Sequence, residues 1–310
     1  MVTKCGAEHT IWNCFIVIGV AAALLLAACG AAQAETMFAD KNEALSAPAV
    51  FAAMRFEPAP DIFDIKEIPE DILRERDAIE RARAVLEAAA RFPARVPIFM
   101  YHTSSETNPG GIPELYVRPS VFEQQIIHLV ENGYTFVTFD DWDNLHDIER
   151  PVFITFDDGY EANYTEIFPI LQRHDARITI FLTLSNVRRG GLTEEMIQRM
   201  SDSGLVKFES HTLTHRHLPS ISQDEASLRR ELRDSKARIE ELTGREVVAI
   251  AYPYGRFDAR VTQAAADYYR FGLSTIFGWH YTREHCYFEM RRLRVSRSTS
   301  LNRFIEMLDM

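Results

Sequence analysis

From Phe92 onward, short apolar runs alternate with longer segments of helical period, and this alternation restricts the possible folds more than any other feature. The runs are Ile98-Phe99-Met100, Thr135 to Thr138, Val152 to Phe156, Ile178 to Leu182, Val206 to Glu209, Val247 to Ala251, Phe271 to Thr275 and a weaker Leu293 to Val295. Several are continuously apolar, the pattern of strands buried on both faces, which parallel sheets require. Between them lie segments with helix signals. One runs from Pro119-Ser120 to Asn132-Gly133; another opens on a capping box at Ser222-Gln223-Asp224-Glu225 and carries Leu228, Leu232, Ile239 and Leu242 on one face before Gly244 stops it. Seven or eight such units in about 215 residues predict an α/β fold, a distorted or incomplete (β/α) barrel of TIM type with about seven strands.

The segments ahead of the barrel read differently. No charged residue falls between Ile11 and Ala34, and Phe15 to Ala28 is a compact apolar stretch, so residues 1–28 are predicted to be a secretory signal. Its end, Leu26-Ala27-Ala28-Cys29-Gly30, resembles the bacterial lipoprotein signal, in which the cysteine is lipidated. A lipid anchor on Cys29 and a periplasmic or cell-surface location are therefore expected. Cleavage after Ala34, or an uncleaved span, are the alternatives. Residues 29–68 have no sustained period and read as a flexible tether, and residues 69–92 as an amphipathic helix with Ile72, Ile79, Val85, Leu86 and Ala89 on one face. This helix is expected to pack on the following domain, residues 93–310, with partner binding as the alternative role. Cys5 and Cys14 belong to the signal, which leaves Cys286 alone as an expected buried small hydrophobe. A net charge of −11, from 34 basic and 45 acidic residues, argues against a surface that neutralises phosphates, so nucleic acid is not an expected partner.

Barrel chemistry collects where strands end, on the face that carries the βα loops. Here Val152 to Phe156 runs into Asp157-Asp158-Gly159, Val206 to Glu209 into Ser210-His211-Thr212-Leu213-Thr214-His215, Ile98 to Met100 into Tyr101-His102, and Val247 to Ala251 into Tyr252-Pro253-Tyr254-Gly255. Two imidazoles four residues apart face one way if their loop is helical or turn-like. With one carboxylate they make a site for a divalent transition metal that keeps open positions. Adjacent aspartates at an extended strand end point apart, so one can bind metal while the other remains a base. A third histidine can protonate a leaving group. Together these groups suit metal-assisted hydrolysis of an acyl group.

Three blocks in order, TFDDGY (Thr155 to Tyr160), SHTLTH (Ser210 to His215) and AYPYG (Ala251 to Gly255), resemble the polysaccharide deacetylase family, carbohydrate esterase family four. The likeness extends from Pro97 to Leu308. The stretches Phe122 to Trp142 and Arg292 to Leu308 resemble the branch that acts on exported poly-N-acetylglucosamine. The resemblance implies Asp157 as general base and Asp158, His211 and His215 as ligands of a divalent metal, zinc first, with nickel, cobalt or iron as alternatives. The family's acid histidine usually follows the last strand, but no matching motif stands after Arg292. Met100-Tyr101-His102 matches the exopolysaccharide branch instead and implies His102 as the acid. The Tyr254 backbone N–H is a candidate oxyanion donor, and an ordinary Pro-containing turn is compatible with that role. Two departures stand out. The arginine that often precedes the PYG turn and pairs with the base is missing, since Ile250-Ala251-Tyr252 stand before Pro253; Arg292 is the candidate substitute, its alternative role a surface charge. The late tryptophan that helps line the acetyl pocket normally follows an aspartate, which Gly278-Trp279 lacks; Trp279 and Leu273 are carried as pocket walls. His217, His280 and His285 are expected to face solvent. The function implied is removal of acetate from N-acetylglucosamine units of an exported or cell-surface polysaccharide. Peptidoglycan, chitin oligomers or acetylxylan are alternative substrates, and a catalytically silent carbohydrate-binding protein is the rival of another class.

Overall fold

The computed structural model of the protein describes residues 70–107, 112–187, 190–282 and 286–310. The predicted signal segment, Cys29, the predicted tether and His285 lie outside them. In chain order the elements are α1 (Glu70–Arg91), β1 (Arg95–Val96), β2 (Ile98–Tyr101), β3 (Thr103–Ser104), β4 (Tyr116–Val117), α2 (Pro119–Glu131), β5 (Thr135–Val137), β6 (Pro151–Asp158), α3 (Phe168–His174), β7 (Ile178–Leu182), α4 (Glu194–Asp202), β8 (Val206–Ser210), α5 (Glu225–Thr243), β9 (Ala249–Ala251), α6 (Ala259–Ala266), β10 (Phe271–Phe277), β11 (His280–Tyr281), β12 (Met290–Arg294) and α7 (Leu301–Asp309). By contacts the chain divides into Met1–Ala82 and Arg83–Met310, and the strands all lie in the second unit. Helix α1 forms where the sequence places it; on its assigned apolar face Ile79 is exposed. No helix among the described residues is long and apolar enough to cross a membrane.

Every residue of β6, β7 and β8 is buried, so these strands are covered on both faces and pair in parallel. The order β2-β12-β10-β9-β8-β7-β6 is closed by β2 pairing with β6, from Ile98↔Phe153 to Tyr101↔Phe156, giving a parallel barrel of seven strands. The remaining apolar run, β5, pairs among the described residues with the start of β6, Pro151–Phe153, and stays outside the ring.

Side chains alternate across the wall as the two-residue period demands. Phe99, Tyr101, Ile154, Phe156, Ile180 and Phe208 face outward into one core, which Phe122 and Ile126 of α2, Leu228 and Leu232 of α5 and Phe304 of α7 complete. Their neighbours Ile98, Phe153, Phe181, Ala249, Ala251, Leu273 and Met290 fill the interior. Phe139, Trp142 and Leu145, from the short helix Phe139–Asp147, plug the end where the strands begin: Phe139 lies 5.0 Å from Phe153 and Trp142 5.0 Å from Phe271, between ring centres.

Three local features differ from what the sequence predicts. Helix α5 is capped by Asp224, whose carboxylate accepts the Ser227 N–H, and not by Ser222, which donates to Asp258 and the Pro219 carbonyl. Gly244 ends it at φ +65° as predicted. Strand β9 starts two residues later than its apolar run, at Ala249. Cys286 is half-buried.

Candidate active site

Strand β6 ends with Asp157 pointing into the barrel and Asp158 turned away by a φ of +73°. Gly159 makes that turn possible: its own φ is +76°, and a Cβ there would stand 2.4 Å from Leu182 Cδ1. The segment after β8 is a tight loop with Thr212 and His215 at positive φ, so His211 and His215 converge through a turn and not a helix. Glu231 of α5 pins this loop by accepting the Thr214 N–H and hydroxyl. Asp158 Oδ1 is then 3.6 Å from His211 Nε2 and 3.4 Å from His215 Nε2. Tetrahedral zinc with bonds of about 2.1 Å sets its ligand atoms about 3.4 Å apart, so the spacing fits such an ion. The tautomer fits as well. His211 Nδ1 lies 2.7 Å from the Ala251 carbonyl, which can only accept, so the proton is on Nδ1 and the Nε2 lone pair faces the carboxylate. Burial, and then the neighbouring His211, hold His215 below the usual histidine range, which favours the neutral ligand form. Among the described residues, Asp158, His211 and His215 form the group of His, Cys, Asp and Glu side chains close enough to hold a metal.

Asp157 is bound from below. Arg292 on β12 is fully buried and donates to Asp157 Oδ1 at 2.7 Å and Oδ2 at 2.8 Å, a bidentate pair. The surface-charge alternative for Arg292 is therefore excluded. A bulge puts the arginine in place: Leu273↔Met290 is followed by Phe277↔Arg292, so four residues of β10 span two of β12. The displaced Ser274 carbonyl accepts from Arg292 Nε at 2.9 Å, and Thr155 Oγ1 from Nη1 at 3.3 Å. Burial by itself would raise the Asp157 pKa, but Arg292, and after it His211, outweigh burial and hold the carboxyl well below the usual range. His102, just past β2, has its Nε2 3.9 Å from Asp157 Oδ2 and is anchored by Asn163 Nδ2 donating to its carbonyl. Burial is the leading cause that lowers its pKa, ahead of the opposing pull of Asp157 and Asp158. Among the described residues its Nδ1 has no hydrogen-bond partner.

Tyr254 sits at φ +59° in the turn after β9, its ring 4.7 Å from that of His215. Gly255 beside it packs so tightly that a Cβ would meet Thr275 Oγ1 at 2.1 Å. Leu273 is fully buried in the interior layer with Ala251 and Met290, beneath the site. Trp279 is not brought to the rim. After β10 the chain turns at Gly278 and β11 pairs with β1 ahead of β2, so the indole N–H donates to the Met307 carbonyl and Arg95 lies 4.3 Å above the ring. Trp279 therefore packs in the outer layer against α7 and does not wall the pocket as the sequence resemblance implied. His217 is exposed, as expected, with Nδ1 2.6 Å from Ser220 Oγ. His280 is not solvent-facing: it is 2% exposed, packed at the barrel floor 5.9 Å from Trp142. Tyr160, the last residue of the TFDDGY block, adds a group that sequence reasoning did not single out: burial, and then the neighbouring Asp158 charge, push its phenol well above the usual range.

A polysaccharide deacetylase family model matches residues 145–270. "Putative polysaccharide deacetylase YxkH" of Bacillus subtilis is 31% identical over 219 residues, 68% of this chain and 75% of that protein. The crystal structure of the "putative polysaccharide deacetylase BA0330" from Bacillus anthracis shares 33% identity at a TM-score of 0.65, covering 69% of each chain. "Poly-beta-1,6-N-acetyl-D-glucosamine N-deacetylase" of Staphylococcus aureus is 27% identical over 173 residues, 51% of this chain and 59% of that protein's length. The identity to these relatives and the shared barrel establish that the chain belongs to the polysaccharide deacetylase family, carbohydrate esterase family four, and is a hydrolase acting on amide bonds.

Proposed function

We propose that this chain is an exported, metal-dependent N-deacetylase that releases acetate from N-acetylglucosamine units of a surface polysaccharide. One observation carries the reading: the Asp158, His211 and His215 cluster shares a rim with an Arg292-held Asp157 and with His102. The similarity to the staphylococcal enzyme, and an acid histidine that comes from the first barrel strand, support the substrate. The apolar segment ending at Cys29 supports export and a lipid anchor.

A metal held by Asp158, His211 and His215 supplies Lewis acidity to the acetamide carbonyl and to the attacking water. The protein's own groups do the rest. Asp157, ionised and oriented by Arg292, takes a proton as the water oxygen bonds to the acyl carbon. The Tyr254 N–H donates to the carbonyl oxygen as negative charge builds there. Because burial keeps His102 neutral at rest, the proton it delivers to the departing nitrogen is the one taken from water, across the 3.9 Å to Asp157. The C–N bond breaks, leaving acetate and a free sugar amine.

The test is acetate release by the mature chain with zinc, on β-1,6- and β-1,4-linked N-acetylglucosamine oligomers, peptidoglycan and acetylxylan. Turnover of the β-1,6 oligomers above the others is expected. Preference for peptidoglycan, chitin oligomers or acetylxylan would overturn the substrate assignment. Glycan binding with no acetate from any of them would overturn catalysis.

A further inference from the structure

Strands β8 and β9 meet in a single register pair, Ser210↔Ile250, whereas β6–β7 has four and β7–β8 five. Below that pair a side chain takes over from the ladder. Glu209 Oε2 accepts the backbone N–H groups of Val248 and Ala249, each at 2.8 Å. Among the described residues its Oε1 has no hydrogen-bond partner; it lies 4.0 Å from Lys207 Nζ, which donates to both carboxylate oxygens of Asp140 at 2.8 Å. Glu209 is fully buried and Lys207 is 5% exposed, so this connection runs inside the barrel, from the plug at its floor to the start of β9. Two residues past Glu209, just beyond the end of β8, stands His211, and two above Ala249 on β9 stands Ala251, whose carbonyl fixes the His211 tautomer. Where direct ladder bonds are missing, the separation of the two strands at that level is set by the Glu209 carboxyl.

We infer that Glu209 is a positioning residue for the metal: it holds the first residues of β9 against β8, and so keeps the Ala251 carbonyl where it orients His211. This role rests on the reading that Asp158, His211 and His215 bind a metal. Removing the carboxyl leaves two buried N–H donors unpaired and frees β9 to shift. Loss of an outer partner of a metal ligand typically costs 10–100-fold in affinity.

Zinc affinity of the mature chain, read by competition titration, tests the inference alongside the NMR signal of the His211 Nδ1–H. Glu209→Ala is expected to weaken zinc binding about tenfold and to lose the protected Nδ1–H signal. Glu209→Gln keeps an oxygen that accepts both N–H groups and is expected to stay within about threefold of the parent. If Glu209→Ala does not fold, Glu209→Asp, one methylene shorter, should bind more weakly than Glu209→Gln. A variant with a lower Tm but unchanged zinc affinity and an intact Nδ1–H signal would assign Glu209 to packing alone and overturn the inference. A parent chain that binds no zinc, or that binds it equally after Asp158→Asn, would instead remove the metal site itself, and this role with it.

Discussion

Replacing Arg292 with methionine withdraws the cation from a pair that water cannot rescue, because the two side chains are 0% and 2% exposed. Breaking one partner of such a buried pair costs about 3–5 kcal/mol, mainly because a buried charge is left uncompensated. The orphaned Ser274 carbonyl adds about 1 kcal/mol, so Arg292→Met should lose about 4–6 kcal/mol. Asp157→Asn strands the guanidinium in turn and should cost a similar amount. The double variant removes both charges and should fall short of the summed losses by about 3 kcal/mol or more. Urea unfolding of the four metal-free proteins gives this coupling directly. The pair also predicts a pH dependence. A carboxyl depressed in the folded state contributes stability above its unfolded pKa, about 3.9, and gives it up as the pH falls towards the folded value. The stability gap between the parent and Asp157→Asn should therefore narrow below about pH 4. Both single variants should lose acetate release yet still bind zinc, since neither residue is a ligand. A coupling under about 1 kcal/mol, the size found for exposed pairs, would refute the reasoning.

Chelation of the parent should abolish acetate release and added zinc restore it; activity that persists in metal-stripped protein would contradict the role of Asp158, His211 and His215. Gly159→Ala places a methyl 2.4 Å from Leu182 Cδ1 at φ +76° and should cost about 2 kcal/mol in thermal unfolding, so an unchanged Tm would count against the strained turn. His280, lowered to about 4 by burial and then by Arg291, binds fewer protons folded than unfolded, so stability must fall as pH drops from about 6.5 towards 4. Integrating that single site gives about 2 kcal/mol lost at pH 5 relative to a His280→Gln variant, and parallel pH profiles for the two proteins would disprove it.

The sequence by itself determined the parallel barrel and most of the candidate metal site. Apolar runs with no alternation can be satisfied only by strands covered on both faces, and that information is local. So is the placement of Asp157, Asp158, His211 and His215 just past strand ends, where they point to one rim whatever the details of packing. The motifs also located His102, through its position after the first strand. Tertiary structure decided what depends on register around the closed wall. Arg292 is 135 residues from Asp157, and it meets that carboxylate only because β12 lies beside β2, β2 beside β6, and a two-residue bulge in β10 turns the Ser274 carbonyl towards it. Trp279 keeps its residue type but loses its expected place, because β11 folds back to β1 and carries it to the opposite end of the barrel. His280 and Glu209 read as ordinary polar residues until the floor plug and the missing β8–β9 ladder surround them. Burial and pairing of a charge are properties of which strands become neighbours, and a linear pattern of side chains does not contain that adjacency.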